Sequence, residues 1–333
     1  MGGKALKNCY TRRCSREEFD IISNEILYIL KQHMELVDIP LFLKGKESFG
    51  DIDIICYPGK SFNMVINDFI NQTFSPNEIY HNGNCYSFDY KEIQIDLILA
   101  TDKTFHTMKH YYSYNDLGMF IGLVAQGFGL KYGQKGLFMK YNFKNQHIGD
   151  IQTSNDFEKI YTFLGFDYKR YDEGFNGFEE IYEYVYNSKY FNHDSFMPER
   201  LNRVNYDRNI KRPSYINFLE WIKLQPRKEY VFKSKEDYFD LITNVFPDAC
   251  LIENIRRIEY KYCKSLYIKS KFNGGDIMKR FGIEGKALGE LIPKFKDFIT
   301  YRYSEIYPKN TFEEFILDSD KDVIFDEFEF FLD

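Results

Sequence analysis

Residues 44–55 read KGKESFGDIDII, and the run from Asp51 to Tyr57, DIDIICY, decides how the chain around it is understood. Asp51 and Asp53 alternate with Ile52 and Ile54, the period-2 pattern of a strand whose two faces meet different surroundings. Pro58 and Gly59 end that strand. Alternation places both carboxylates on one face, roughly 6–7 Å apart along the strand at the standard rise per residue. That spacing suits a divalent cation.

Outward from this strand the pattern stays readable. Upstream, Ser15 and Glu18 make a capping box, and Phe19, Ile22, Ile26, Ile29 and Leu30 recur at helical spacing, which predicts a helix that starts at Ser15 and ends before Pro40. Downstream, residues 62–70 read as a helix and Asn82-Gly83-Asn84 as a turn. Residues 85–90 and 92–99 then read as an antiparallel hairpin. In its second arm Ile93, Ile95, Leu97 and Leu99 share one face and Gln94, Asp96 and Ile98 the other, so Asp96 points away from the apolar row. Further on, the spacing predicts helices through 119–125, 156–164 and 179–186, a strand over 136–143, and mostly helical chain to Lys296. A composition shift at Gly174–Gly177 marks a candidate boundary, and residues 318–333 are acidic and Phe-rich.

Composition narrows the function classes. At 333 residues the chain suits two or three compact domains and can bury a core without staples. Its six cysteines, 9, 14, 56, 85, 250 and 263, show no CxxC or zinc spacing, which favours a reducing, intracellular compartment. No apolar run approaches the roughly 20 residues needed to span a bilayer, so a soluble protein is expected. The net charge of −6 excludes nucleic-acid binding by bulk electrostatics and restricts any such contact to local patches. Two basic runs qualify, 200–212 with Arg208, Lys211 and Arg212, and 256–271 with Arg256 and Arg257; each is equally readable as a solvated helix face. Aromatics make up 19% of residues, spread along the whole length with high Lys, Asn and Ile, which reads as core and AT-rich coding rather than as a stacking surface.

If Asp96 on a neighbouring strand joins Asp51 and Asp53, three hard oxygen ligands can hold two Mg²⁺ or Mn²⁺ ions about 3.5–4 Å apart. Such a pair activates a hydroxyl and holds a triphosphate, so no His or Cys nucleophile is needed. Read as isolated letters, the same three residues also describe surface acids without a role.

The stretch from Lys44 to Ile55 resembles the palm motif of family X DNA polymerases, the polymerase beta family, with Gly45, Lys46, Glu47, Ser48, Gly50, Asp51, Ile52 and Asp53 carrying the match. Residues 93–99, IQIDLIL, are similar to that family's later strand, whose third metal-site aspartate falls on Asp96. Residues 114–138, YNDLGMFIGLVAQGFGLKYGQKGLF, resemble its passage from palm to thumb, and 156–168, DFEKIYTFLGFDY, its thumb helix. In all, the resemblance covers about residues 35–172. A shorter segment, 272–299, is similar to the C-terminal helical part of tRNA nucleotidyltransferases and poly(A) polymerases.

These resemblances imply an α+β fold: a nucleotidyltransferase palm with a mixed sheet and flanking helices over 1–110, a small α/β thumb over 111–175, and a mainly helical domain, a candidate for nucleic-acid binding, over 176–333. They imply an enzyme, a DNA polymerase of repair or viral replication that adds nucleotides from a (d)NTP to a nucleic-acid 3′-hydroxyl. Asp51, Asp53 and Asp96 would be the catalytic metal ligands. Lys44, Gly45, Lys46, Ser48, Gly50, Tyr111, Tyr112 and Asn115 would bind the nucleotide, and Arg208, Lys211, Arg212, Arg256 and Arg257 the nucleic acid, DNA rather than RNA. No membrane partner is implied.

Departures from the family pattern leave other readings open. The family's Gly-Ser phosphate contact falls on Pro40 and Leu41, which lack respectively the N–H and the hydroxyl. Its sugar-contacting turn falls on 110–114 without the Gly, and its sugar-base Asn on Gly118, with Asn115 nearby. An RNA 3′-end nucleotidyltransferase, or a catalytically weakened nucleic-acid-binding protein on the same palm, remains compatible with these residues.

Overall fold

The computed structural model describes residues 3–234 and 236–333. The chain is α+β with a mixed sheet, and it divides into two compact units, residues 1–140 with 150–251 and residues 141–149 with 252–333. The division at 251 lies inside the 176–333 span read from sequence as one segment. Among the described residues no helix is long and apolar enough to cross a membrane.

The first unit opens with strand β1 (Cys14–Ser15) and helix α1 (Arg16–Leu30). Ser15 caps α1 as its spacing predicts: its hydroxyl accepts from the Glu18 N–H and the Glu18 side chain accepts from the Ser15 N–H. Then follow β2 (Leu36–Asp38), β3 (Ser48–Phe49), β4 (Asp51–Tyr57), α2 (Ile66–Phe74), β5 (Ile79–Asn82), β6 (Cys85–Tyr90), β7 (Ile93–Leu99) and α3 (Phe105–Tyr112). Five of these strands form one sheet in the order β2-β4-β7-β6-β5. Only β4 and β7 run parallel in it.

The alternation along β4 and β7 decides how the sheet is covered. Ile52, Ile54 and Cys56, with Ile93, Ile95 and Leu97, face Phe19, Ile22 and Ile26 of α1 and Phe69, Ile70 and Phe74 of α2. Each such buried side chain contributes about 1.5–3 kcal/mol. On the opposite face Ile55 and Ile98 pack against Phe105 and Met108 of α3. That face is therefore apolar at one end only, and its other end carries Asp51, Asp53, Gln94 and Asp96.

Strand β2 and the later strands Leu130–Gly133 and Gln146–Ser154 form where the spacing predicts none, and two elements of the first sheet region differ instructively. Helix α2 starts at Ile66 rather than Phe62, because its buried stripe is Phe69, Ile70 and Phe74; it ends where Ser75 turns left-handed ahead of Pro76. Strand β5 has no apolar row to announce it: Tyr80, His81 and Asn82 are exposed.

Beyond α3 lie α4 (Leu117–Gly127), β8 (Leu130–Gly133), β9 (Gly136–Phe143) and β10 (Gln146–Ser154), the strands forming a sheet in the order β10-β9-β8. Helices α5 (Phe157–Phe163), α6 (Tyr168–Glu173), α7 (Phe178–Tyr186), α8 (Arg203–Asn209), α9 (Pro213–Lys223) and α10 (Phe239–Val245) complete this unit. The Gly174–Gly177 segment is tied back to the turn before β4, since the N–H groups of Lys44 and Gly45 donate to the carbonyls of Phe175 and Asn176 at 2.8 and 3.0 Å.

The second unit consists of α11 (Leu251–Lys271), α12 (Gly274–Phe281), α13 (Gly285–Tyr303), α14 (Thr311–Asp318) and α15 (Lys321–Leu332), with residues 141–149 from the β9–β10 hairpin. Its core is largely phenylalanine: Phe272, Phe295, Phe315, Phe325 and Phe328 are buried with Ile277 and Ile299. The Phe-rich C-terminal stretch thus packs its own unit. The hairpin tip is stitched to α11, the Tyr141 hydroxyl donating to Glu259 and the Tyr262 hydroxyl to Gln146, both at 2.6 Å.

Candidate metal centre

Asp53 and Asp96 are register partners on the parallel strands β4 and β7, and Asp51 lies two residues before Asp53 on the same face. One carboxylate oxygen from each of the three lies within 4.8 Å of the others. Strand alternation and register alone bring them together, without help from a loop.

The crowding has an electrostatic cost. Burial, and then the charges of Asp51 and Asp96, push the Asp53 carboxyl well above the usual carboxylate range. Burial, with the Asp51 charge, raises Asp96 to about 6, against the opposing hydrogen bonds from Ser87 and Gln94. Three oxygen donors, two of them held in an environment that resists their ionisation, fit a hard divalent cation.

Two outer contacts orient the carboxylates. The buried Gln94 amide donates to Asp96 Oδ1 at 2.8 Å, and its own oxygen accepts from the Ala5 N–H at 2.9 Å. The Gly3 N–H donates to Asp51 Oδ2 at 2.9 Å. Gly3 has φ of +76°, and a Cβ there would stand 2.0 Å from the Gly50 carbonyl oxygen, so only glycine passes at this distance. The segment is anchored further on by Glu78, whose carboxylate accepts the N–H groups of Lys7, Asn8 and Cys9.

Asp51 and Asp53 open into a cleft of about 360 Å³. Lys46 and Arg13 line it, as do Pro40, Leu41, Tyr112 and Asn115. Burial lowers the Lys46 amine from its usual range, while Asp51 and Asp53 hold it up, and the amine sits 4.5 Å over the Phe49 ring. Arg13 is held by Ser48, whose hydroxyl and carbonyl accept from the guanidinium at 2.9 and 2.8 Å.

The expected nucleotide-binding residues separate in space. Lys46, Gly50, Tyr112 and Asn115 line the cleft. Lys44 instead donates to the Glu173 carbonyl at 2.8 Å, and Tyr111 faces a different concavity. Gly45 and Ser48 stand outside the cleft wall, Ser48 acting through Arg13. Leu41 offers no donor to the cleft, because its N–H is given to Ser113 Oγ at 2.8 Å.

The turn that lacks the expected glycine nevertheless takes left-handed backbone, at Tyr114 (φ +54°) and Asn115 (φ +59°). Such strain costs on the order of 1–3 kcal/mol, and Tyr114 is anchored by burial against Tyr171 and Phe175. Position 118 admits no side chain: a Cβ on Gly118 would lie 2.6 Å from the Tyr111 carbonyl. Asn115 is therefore the amide that reaches the cleft.

Of the basic residues, Arg208 and Lys211 are exposed in the first unit, and Arg256 and Arg257 are exposed on α11 of the second. Arg212 is half-buried and bonded to Asp116, which also accepts from the Ser214 hydroxyl. Asp116 and Arg13 line the cleft without having stood out in the sequence, where neither belongs to a periodic or spaced motif. Gln94 did carry a signal, since the β7 alternation sets it on the Asp96 face.

No protein-family model matches the chain, and no curated protein matches it.

Proposed function

We propose that the chain is a metal-dependent nucleotidyltransferase on a polymerase-beta-type palm, joining the α-phosphate of a (d)NTP to the 3′-hydroxyl of a nucleic acid as the α–β phosphoanhydride bond breaks and pyrophosphate leaves. The observation that carries this reading is the convergence of Asp51, Asp53 and Asp96 to within 4.8 Å beside a cleft walled by Lys46 and Arg13. Bound Mg²⁺ or Mn²⁺ would supply the charge that eases ionisation of the hydroxyl and steadies the triphosphate.

The chain's own groups do the remainder. Asp96, aimed by the Gln94 amide, is the carboxylate placed to accept the hydroxyl proton. Lys46 and Arg13 present cations to phosphate oxygens in place of the Gly-Ser donors absent at Pro40 and Leu41. Tyr112 and Asn115, which also line the cleft, are the groups available to a sugar or base.

The resemblance over 114–138 and 156–168 favours a DNA polymerase of repair or viral replication. A second reading, RNA 3′-end addition, is favoured by the segment 272–299, which forms the consecutive helices α12 and α13. Primer extension on DNA and RNA primers, with dNTPs against NTPs, separates the two. Incorporation that survives both Asp51→Ala and Asp96→Ala would sink the mechanism.

A further inference from the structure

Tyr112 is shared between the carboxylate cleft and a second, larger concavity of about 910 Å³ in the same unit. Helix α4, strands β8 and β9 and helix α8 contribute its walls. The charge here is opposite in sign to that beside the aspartates. Lys131, Lys135, Lys140 and Arg208 line it against one carboxylate, Asp150, which pairs with Lys131 at 3.1 Å. The protein as a whole carries −6, so this is a local concentration of positive charge.

Two further properties narrow the ligand. Half-buried rings, Tyr111, Tyr112 and Phe138, stand in the wall beside the cations. At the end of α8, Asn209 is 2% exposed and lines the groove, and its amide nitrogen has no hydrogen-bond partner among the described residues. An unsatisfied buried amide donor costs about 1–3 kcal/mol, a penalty removed when a ligand brings an acceptor.

We propose that this groove holds a short single strand of nucleic acid, with Lys135, Lys140 and Arg208 on its phosphates, the rings on its base faces and Asn209 on a base edge. The inference rests on the nucleotidyltransferase reading for its meaning, since the shared Tyr112 wall puts such a strand beside the aspartates, but binding is measured independently of chemistry. Rings and a buried amide need base faces and edges that are free, as they are in a single strand. A duplex keeps its faces stacked and its pairing edges occupied, and would use only the cations.

The test is fluorescence anisotropy on the full chain, without metal, using labelled hexanucleotides of DNA and of RNA, a duplex of the same DNA sequence, and unlabelled ATP as competitor. One of the two single strands should bind at least about tenfold tighter than the duplex. Lys135→Ala with Arg208→Ala, both exposed and replaceable without loss of fold, should weaken it about five- to tenfold and flatten its salt dependence by about one to two phosphate contacts. Asn209→Leu, checked for folding by circular dichroism, should weaken single-strand binding and leave the duplex unchanged. Asp53→Asn should leave binding intact even where it stops incorporation, so failure of the chemistry and failure of the groove are told apart. Equal affinity for duplex and single strand, indifference to the Lys135 and Arg208 substitutions, or full displacement by ATP alone overturns the proposal.

Discussion

The two concavities of the first unit share Tyr112 yet are built on opposite principles. The smaller owes its character to a sheet: register and alternation on β4 and β7 concentrate carboxylates, and Lys46 and Arg13 offset them only partly. The larger takes three of its cations, Lys131, Lys135 and Lys140, from the β8–β9 hairpin and the fourth, Arg208, from α8 far along the chain, around an amide left unsatisfied. The aspartates are drawn together on the sheet face, where burial and mutual charge shift the ionisation of Asp53 and Asp96; the four cations of the groove stay exposed to solvent. The first arrangement suits a cation, the second a polyanion.

The largest effect that can break this contrast is chemical. Asp53→Asn or Asp51→Ala should lower incorporation on the order of a thousand-fold or more while leaving oligonucleotide affinity unchanged; steady-state extension beside anisotropy reads both. Next comes stability. Because the Asp53 and Asp96 carboxyls are raised in the folded state, their contribution without metal is present below the unfolded value and is lost as pH rises, for Asp96 through about 6. Asp96→Asn should therefore stabilise the metal-free protein at pH 7 by about 2–3 kcal/mol and remove any stabilisation by Mn²⁺. Denaturant melts at pH 5 and pH 7, with and without Mn²⁺, check the sign.

Smaller effects sharpen the picture. Lys46→Ala should raise the KM for nucleotide roughly tenfold or more, as expected for the loss of one charged phosphate contact. Lys44→Ala should change it by less than about twofold, since the Lys44 amine is already committed to the Glu173 carbonyl. Equal responses would mean that the cleft wall is wrongly drawn. Gln94→Ala should weaken Mn²⁺ binding about tenfold, as loss of an outer-shell hydrogen bond does, with no change at the larger groove; calorimetric titration of Mn²⁺ measures it.

How far these features were legible depends on whether they are local. The capping box at Ser15, the β4 alternation and the face of Asp96 are decided within a few residues, and each stands where its spacing puts it. Lys44 and Lys46 look equivalent in sequence and are not, because residues 173–176 fold back on Lys44 and Gly45 from far along the chain. Arg13 and Asp116 in the cleft, and Asn209 in the groove, had no periodic or motif signal, since only tertiary packing places them. The left-handed turn at Tyr114 and Asn115 was hidden for a related reason: burial of the Tyr114 ring outweighs a backbone preference that would have called for glycine.

The hairpin tip stitched to α11 has a consequence at the level of the gene. Because residues 141–149 belong to the second unit while the chain on either side of them belongs to the first, that unit is no cassette. A stop codon after Leu251 would strip Tyr141 of Glu259 and Gln146 of Tyr262, and residues 252–333 moved elsewhere would leave those same contacts behind. Exchange of this unit between genes requires two coordinated changes, one in the hairpin and one downstream, so related chains are expected to keep or lose the two segments together.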